Sequence, residues 1–590
     1  MDQSIRRSQF ITTYGPGAIL EGPEGPRMIP SLELSGVYDG RRLRDFEITD
    51  RRLSESLLQG AGILRLPSNA ELGLPEMQAI YNTSAFPVWG LCISHNLLYR
   101  KTRNDSQACP RCPPASTNFD AWRAIHKQAI RFIRACPQGH LDDVDWIGII
   151  PHSSKSCLPP YLLWEGGGGA LRHINIRCPV CRQFMNLGIA YARTWRCSGR
   201  FPELGKATPG CVVPARIVQR GAANVRLTEL RTSLTIPPRD TPLHRLLELD
   251  AISTILLSVS IPSKQFLLDA LNRLVANNRL RHAVVVDIAR YSEAEILSAI
   301  NDVISGGATR TLAELRLEEF EALRQGAVFG APAQPAQTPG APPQFEILPN
   351  QTRLIQGPAG HQVRVTPVNR LRVVMVQIGY RRLDLSNEVV ECAYRDAQRN
   401  WYPGVELSGE GVFLDIPDRT GGALRLDGEA AANWFSAWID PVGFEQRPNA
   451  EESDWLHPVF VWWHTLAHRV INALSIDSGY SSASVRERIF LDVDRNTGDA
   501  TGGVLLYTVQ PGGDGTLGGL VALVPEFERV LNAAFRNLDA CSNDPLCGEE
   551  RFDVGKYNGS ACYACLLVSE TSCEHRNMRL DRSLLQENQL

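Results

Sequence analysis

The chain has no long apolar run. Across 590 residues nothing approaches the ~20 that a membrane-spanning helix needs, so no span is expected. Behind Met1-Asp2-Gln3-Ser4-Ile5-Arg6-Arg7 no apolar signal core follows, and a cytoplasmic location is expected. There is also no excess of one charge: 61 Lys and Arg stand against 64 Asp and Glu, a formal net charge of −3. A free-standing, non-specific nucleic-acid binder is normally basic overall, so that class is disfavoured, although charge clustered on one face still attracts phosphate. Catalytic signatures are missing too. No G-x-x-x-x-G-K-[ST] phosphate loop occurs, because Gly205-Lys206 and Gly555-Lys556 lack both the upstream spacing and the following hydroxyl. Neither G-x-S-x-G nor H-E-x-x-H is present. With no ATPase, protease or hydrolase motif, the expectation is a protein that is not an enzyme.

Cysteine is what the chain has. Fifteen cysteines in a reducing compartment point to metal binding when they fall in close pairs, and three C-x-x-C pairs occur: Cys109/Cys112, Cys178/Cys181 and Cys562/Cys565. Spacing along the chain assembles three clusters. The first joins Cys109 and Cys112 to Cys136-x₃-His140, two thiolates on a knuckle completed by a thiolate and an imidazole. The second joins Cys178 and Cys181 to Cys197 and Cys211, a ribbon-like set of four thiolates. The third holds five thiols, Cys541, Cys547, Cys562, Cys565 and Cys573, one more than tetrahedral zinc takes. About three structural zinc ions are expected, with an iron–sulfur cluster the competing occupant of the third. Cys92, Cys157 and Cys392 fall outside the clusters and read as buried, inert thiols.

The pattern predicts an α+β, multidomain chain. Residues 1–105 alternate short apolar runs with Gly-Pro turns and read as strands and loops; 106–240 carry the first two clusters on zinc-ribbon or knuckle insertions. Residues 241–325 turn helical, 326–344 form an Ala/Pro-rich linker, and 345–590 read as a mixed α/β domain ending in the third cluster. Within that domain, strands are expected at 371–378 and 489–493, and helices at 458–476 and 525–538. A further helix is predicted over 119–135, where Arg123, Lys127, Arg131 and Arg134 recur every three or four residues as one basic stripe, either a solvated face or a phosphate-tracking edge. His464 and His468 sit at i and i+4 on the strongly apolar segment 458–476. That spacing can chelate a metal, but with no acid between them they read as core histidines.

Three stretches together carry a resemblance to a known family. They are Arg7-Ser8-Gln9 with Tyr14-Gly15-Pro16-Gly17-Ala18; Cys136-Pro137-Gln138-Gly139-His140 with Asp142, Asp145 and Trp146; and a C-terminal series. That series runs through His464 to His468, Glu487-Arg488-Ile489, Gly515 to Gly519, Cys562 to Cys565, then Cys573-Glu574, Asn577 and Leu580-Asp581-Arg582. The three stretches resemble the DrmB family of the DISARM anti-phage defence systems, and the C-terminal series also resembles the four-cysteine domain at the C-terminus of MrfA-like DNA-repair helicases. The resemblance implies a partner of a DrmA-like SF2 helicase in a complex engaging foreign DNA, beside a DNA methyltransferase of the same system. It supplies no catalytic residue. An enzyme with an unrecognised site, such as a nuclease built on His464, His468 and Asp454 or Asp492, is the alternative.

Overall fold

The computed structural model describes the chain outside residues 1–4, 23–24, 51, 77, 101–108, 113–127, 168, 237–241, 248, 306–310, 331–343, 357–361, 418–422, 442–453, 478–480, 482, 511–518 and 590. Its contacts divide it into two units. Unit 1 comprises Met1–Thr49, Ala61–Thr232 and Met375–Val405; unit 2 comprises Asp50–Gly60, Ser233–Val374 and Glu406–Leu590.

Unit 1 is built from short strands because Gly, Pro and Cys interrupt the chain every few residues. In one sheet β1 (Trp89–Cys92) and β2 (Leu97–Arg100) form an antiparallel hairpin, and β5 (Tyr161–Glu165), β6 (Asn175–Arg177) and β7 (Phe184–Asn186) continue it in the order β1-β2-β5-β6-β7. In another, β3 (Phe132–Ala135) pairs with β4 (Leu141–Asp143) on one side and β8 (Ala215–Gln219) on the other. Trp146 lies at the centre of a core with Leu98, Phe132, Leu162, Ile176 and Ile217.

The helix predicted over 119–135 is corrected here. Residues 119–127, with Arg123 and Lys127, lie outside the described residues, and from Gln128 onward the chain is extended. Ile130 and Phe132 join the Trp146 core, whereas Ile133 and Ala135 join a different one with Met28 and Leu141. A strand buried on both faces presents an unbroken apolar run, which periodicity alone does not separate from a buried helix. Arg131 is exposed beside β3, and Arg134 lies on it, donating to the Arg196 carbonyl at 3.1 Å. The two share no helix face. Deeper in the unit, Arg382 and Glu203 pair at 2.8 Å with no exposure, and Arg382 also donates to the carbonyls of Gly139 and Val225, each at 2.9 Å.

Unit 2 opens with five helices: α1 (Pro242–Leu247), α2 (Asp250–Ser258), α3 (Lys264–Ala276), α4 (His282–Ala289) and α5 (Glu293–Ser305). They share a core of their own, including Leu247, Ile252, Leu267, Leu271 and Ile288. A capping box between Thr311 and Glu314 starts α6 (Leu312–Phe329), so the first residues of the expected linker are its last turn; 331–343 lie outside the described residues.

The large sheet follows, in the order β9 (Gln362–Arg381), β10 (Asn400–Asp415), β12 (Ala500–Gln510), β11 (Val485–Val493). The expected strands at 371–378 and 489–493 lie inside β9 and β11. Strand alternation gives β11 two faces. Val485, Glu487 and Ile489 face α8 (Pro458–Asp477), while Phe490 stacks on Phe320 of α6 and Arg488 pairs with its Glu319 at 3.3 Å. Pro458 opens α8 where its missing N–H costs nothing. Val459 to Ala467 are then buried on every side, packed with α7 (Glu429–Ile439), α9 (Phe527–Phe535) and α10 (Arg582–Glu587) in the largest core of the described residues. No helix among the described residues is long and apolar enough to cross a membrane.

Candidate metal centres

The described residues form five groups able to hold a metal ion, where the sequence suggested three, and their membership differs from the chain-order clusters. Cys109 and Cys112 meet Cys92 and His95, not Cys136 and His140. The β1–β2 hairpin is the reason: its turn presents Cys92-x₂-His95 to the Cys109 knuckle. His95 Nδ1 lies 3.6, 3.7 and 3.5 Å from the sulfurs of Cys92, Cys109 and Cys112. Ligands on a tetrahedral zinc stand about 3.6 Å apart for N and S and about 3.8 Å for two sulfurs, from bond lengths near 2.1 and 2.3 Å. The three separations match.

Cys136 and His140 instead meet Cys197 and Cys211. β3 and β4 form the hairpin carrying the first two, closed by Gly139 in the left-handed region (φ +83°), which lets His140 Nδ1 fold back to 3.3 Å from Cys136 Sγ. The Gly199 amide donates to Cys197 Sγ at 3.3 Å. Burial pushes the Cys136 thiol up to about 12, and the neighbouring Cys197 works in the same direction.

Cys178 and Cys181 meet His152 and Cys157, not Cys197 and Cys211. Cys157 and Cys178 are 3.6 Å apart, and His152 Nδ1 is 3.1 Å from Cys181 Sγ. His152 Nε2 donates to the Ile147 carbonyl at 3.1 Å, which fixes the tautomer with Nδ1 free for a metal. Burial works to raise the Cys181 thiol, yet the amides of Gln183 and Ser153 and the His152 ring more than offset it, leaving the thiol at about 6. Cys92 and Cys157, read from sequence as inert, are thus members of groups. Cys392 stays apart, buried, with its sulfur accepting from Gln377 Nε2 at 3.3 Å.

In unit 2, Cys541, Cys547, Cys562 and Cys565 gather as four thiols, with sulfurs 3.4 Å (Cys541–Cys562), 3.8 Å (Cys547–Cys565) and 3.7 Å (Cys562–Cys565) apart. These distances are far beyond a disulfide's ~2.05 Å and close to those of a four-thiolate zinc site. Which of the five thiols leaves the set is now defined: it is Cys573, whose sulfur lies 3.3 Å from His464 Nε2 instead.

Cys573 belongs to a fifth group with His464, His468 and Glu487, all four buried. The i, i+4 spacing on α8 stacks the two rings with centroids 4.6 Å apart, and β11 brings Glu487 Oε1 to 2.8 Å from His464 Nε2 and 3.2 Å from His468 Nε2. Burial pushes His464 below its ordinary value and Cys573 well above its own. Burial also works to raise Glu487, and the facing His468 and His464 more than reverse it, leaving the carboxyl below its usual range. The reading of His464 and His468 as plain core histidines missed Glu487, which comes from another element and leaves no spacing signal. His95 and His152 were more legible, since Cys92-x₂-His95 and His152-x₄-Cys157 are themselves ligand-like pairs. The carboxylates first paired with the histidines lie elsewhere: Asp454 binds Arg495 at 2.6 Å, and Asp492 is exposed.

Residues 6–227 match the family described as Domain of unknown function (DUF8724), and residues 466–566 match the family described as MrfA Zn-binding domain. A curated relative, the DISARM protein DrmB of Bacillus paralicheniformis, is 28% identical over 505 residues, covering 81% of this chain and 82% of that protein. The first match spans the three groups of unit 1. The second takes in the four-cysteine group with His468 and Glu487, and leaves out His464 and Cys573. Neither family description nor the relative's name carries an enzymatic activity.

Proposed function

We propose that this chain is a non-catalytic, zinc-stabilised subunit of an anti-phage defence complex, which docks on a DrmA-like SF2 helicase and helps it hold foreign DNA. A DNA methyltransferase of the same system is its further partner. The observation that carries the reading is the similarity to a DISARM DrmB along 81% of the chain and 82% of the relative. The chemistry agrees with it. Each group offers four protein ligands, and a closed shell leaves no position for the reactive water that catalytic zinc keeps. The burial of His464 and His468 against Glu487, with no exposure, favours a structural role for them over the nuclease alternative.

Co-expression with a DrmA-like helicase tests the proposal. The two should co-purify through gel filtration, the complex should bind DNA more tightly than this chain alone, and this chain alone should neither hydrolyse ATP nor cut DNA. A chain that elutes apart from the helicase, or that cleaves DNA by itself, overturns it.

A further inference from the structure

The group of His464, His468, Glu487 and Cys573 has features that a set of ordinary buried side chains does not explain. His464 Nδ1 is 3.2 Å from the Arg579 carbonyl, and His468 Nδ1 is 2.9 Å from the Leu566 carbonyl. A carbonyl only accepts, so both Nδ1 atoms carry the proton, and the Nε2 of each ring, the nitrogen left for a metal, faces inward. Both Nε2 atoms face one carboxylate oxygen, Glu487 Oε1, at 2.8 and 3.2 Å. With both rings neutral this sets acceptor against acceptor, and a cation between them turns that repulsion into attraction.

Two further observations fall at the same place. Glu487 Oε2 is buried with no hydrogen-bond donor among the described residues. Cys573 Sγ accepts from the backbone amides of His575 at 3.3 Å and Asn577 at 3.2 Å, the amide cradle that a thiolate takes at a metal knuckle. His464 Nε2 stands 3.3 Å from that sulfur, against about 3.6 Å expected for N and S sharing one zinc.

From this arrangement we infer that His464, His468, Glu487 and Cys573 bind a fifth ion, a zinc, buried in the core between α8, β11 and the C-terminal segment. Binding displaces the Cys573 thiol proton and leaves Glu487 ionised. Two neutral imidazoles, one carboxylate and one thiolate around a dication sum to zero charge, the state an apolar core tolerates best. Backbone carbonyls orient both histidines, as they do at built metal sites. One of those carbonyls, Leu566, immediately follows Cys565 of the four-cysteine group, so the buried ion ties α8 to the neighbouring zinc knuckle. The site is distinct in ligand chemistry from the four-cysteine group, and His464 and Cys573 fall outside the span matched to the zinc-binding family.

Diffraction from crystals of the full chain, recorded on both sides of the zinc absorption edge, tests this without any substitution. A zinc anomalous peak is expected within bonding distance of His464 Nε2, His468 Nε2, Cys573 Sγ and Glu487. No peak there, while the four-cysteine group shows one, overturns the inference, and a peak at the iron edge in its place overturns the identity of the ion. In solution, Glu487→Gln should lose one equivalent of zinc per chain by elemental analysis, and full retention in the folded variant counts against the site. If that variant does not fold, the diffraction experiment on the unsubstituted chain decides alone.

Discussion

Unit 1 and unit 2 hold metal-ligand groups in opposite settings. In unit 1 the groups of Cys92, Cys136 and Cys178 sit at the ends of strands three to five residues long, around small cores. Each of those groups takes three thiolates and one imidazole. In unit 2, β11 and β12 run to 9 and 11 residues and the core around Trp434, Trp462 and Leu466 is continuous. There one group is four cysteines on loops and the other is buried inside that core. The difference teaches what a metal would do in each setting. Where hairpins are too short to bury enough apolar surface, ligand bonds substitute for a core, as they do in small metal-dependent domains. Where a core already exists, a metal fixes one segment upon it.

The strongest test of this contrast is metal removal. Strong chelation should unfold unit 1 first, since each structural zinc contributes about 10–16 kcal/mol of folding free energy. Hydrogen exchange should lose protection in β1 to β8 while α8 and β12 keep theirs; simultaneous loss in both would erase the distinction. A sharper version uses single ligands. Cys178→Ser should cost unit 1 its cooperative transition, whereas Cys562→Ser should release one zinc and loosen 541–582 with α8 still protected. Thermal melts read alongside zinc content separate the two.

The buried pair of unit 1 comes next in size. Glu203→Ala leaves Arg382 charged, unexposed and unpaired, and should destabilise by about 3–5 kcal/mol in denaturant melts. Glu574→Ala in unit 2 should cost less, because Arg488 keeps Glu319 at 3.3 Å. The smallest effect concerns Asp143. Burial raises its carboxyl to about 6 although Val88 and Trp89 amides donate to it. A folded-state value above the unfolded one means stability is present at low pH and lost as pH rises toward 6 and beyond. Asp143→Asn should therefore gain about 1 kcal/mol on its parent between pH 5 and pH 8. A constant difference would refute that sign.

What the sequence made legible was pairing at short range. Cys109 with Cys112, Cys178 with Cys181, Cys562 with Cys565 and Cys136 with His140 each stay together, because a knuckle is a local turn. Which pair meets which was not legible, because strand pairing over dozens of residues decides it. β3, paired with β4 and β8, leads directly into Cys136, which meets Cys197 and Cys211 rather than Cys112. The basic stripe failed for a related reason: its residues were placed on a helix by period, and two-faced burial of β3 mimics that pattern. α8 was readable nearly to the residue, since apolar packing on all sides and Pro458 mark it. Its partner Glu487 was not, because a buried carboxylate on a strand carries no signature until the sheet delivers it.

The metal content of the intact, purified chain tests the central claim most directly, that strand pairing redistributes the ligands into five closed groups. Elemental analysis should find five zinc ions per chain and negligible iron. A reproducible count of three, matching clusters taken in chain order, or of four, leaving the buried group empty, would contradict it.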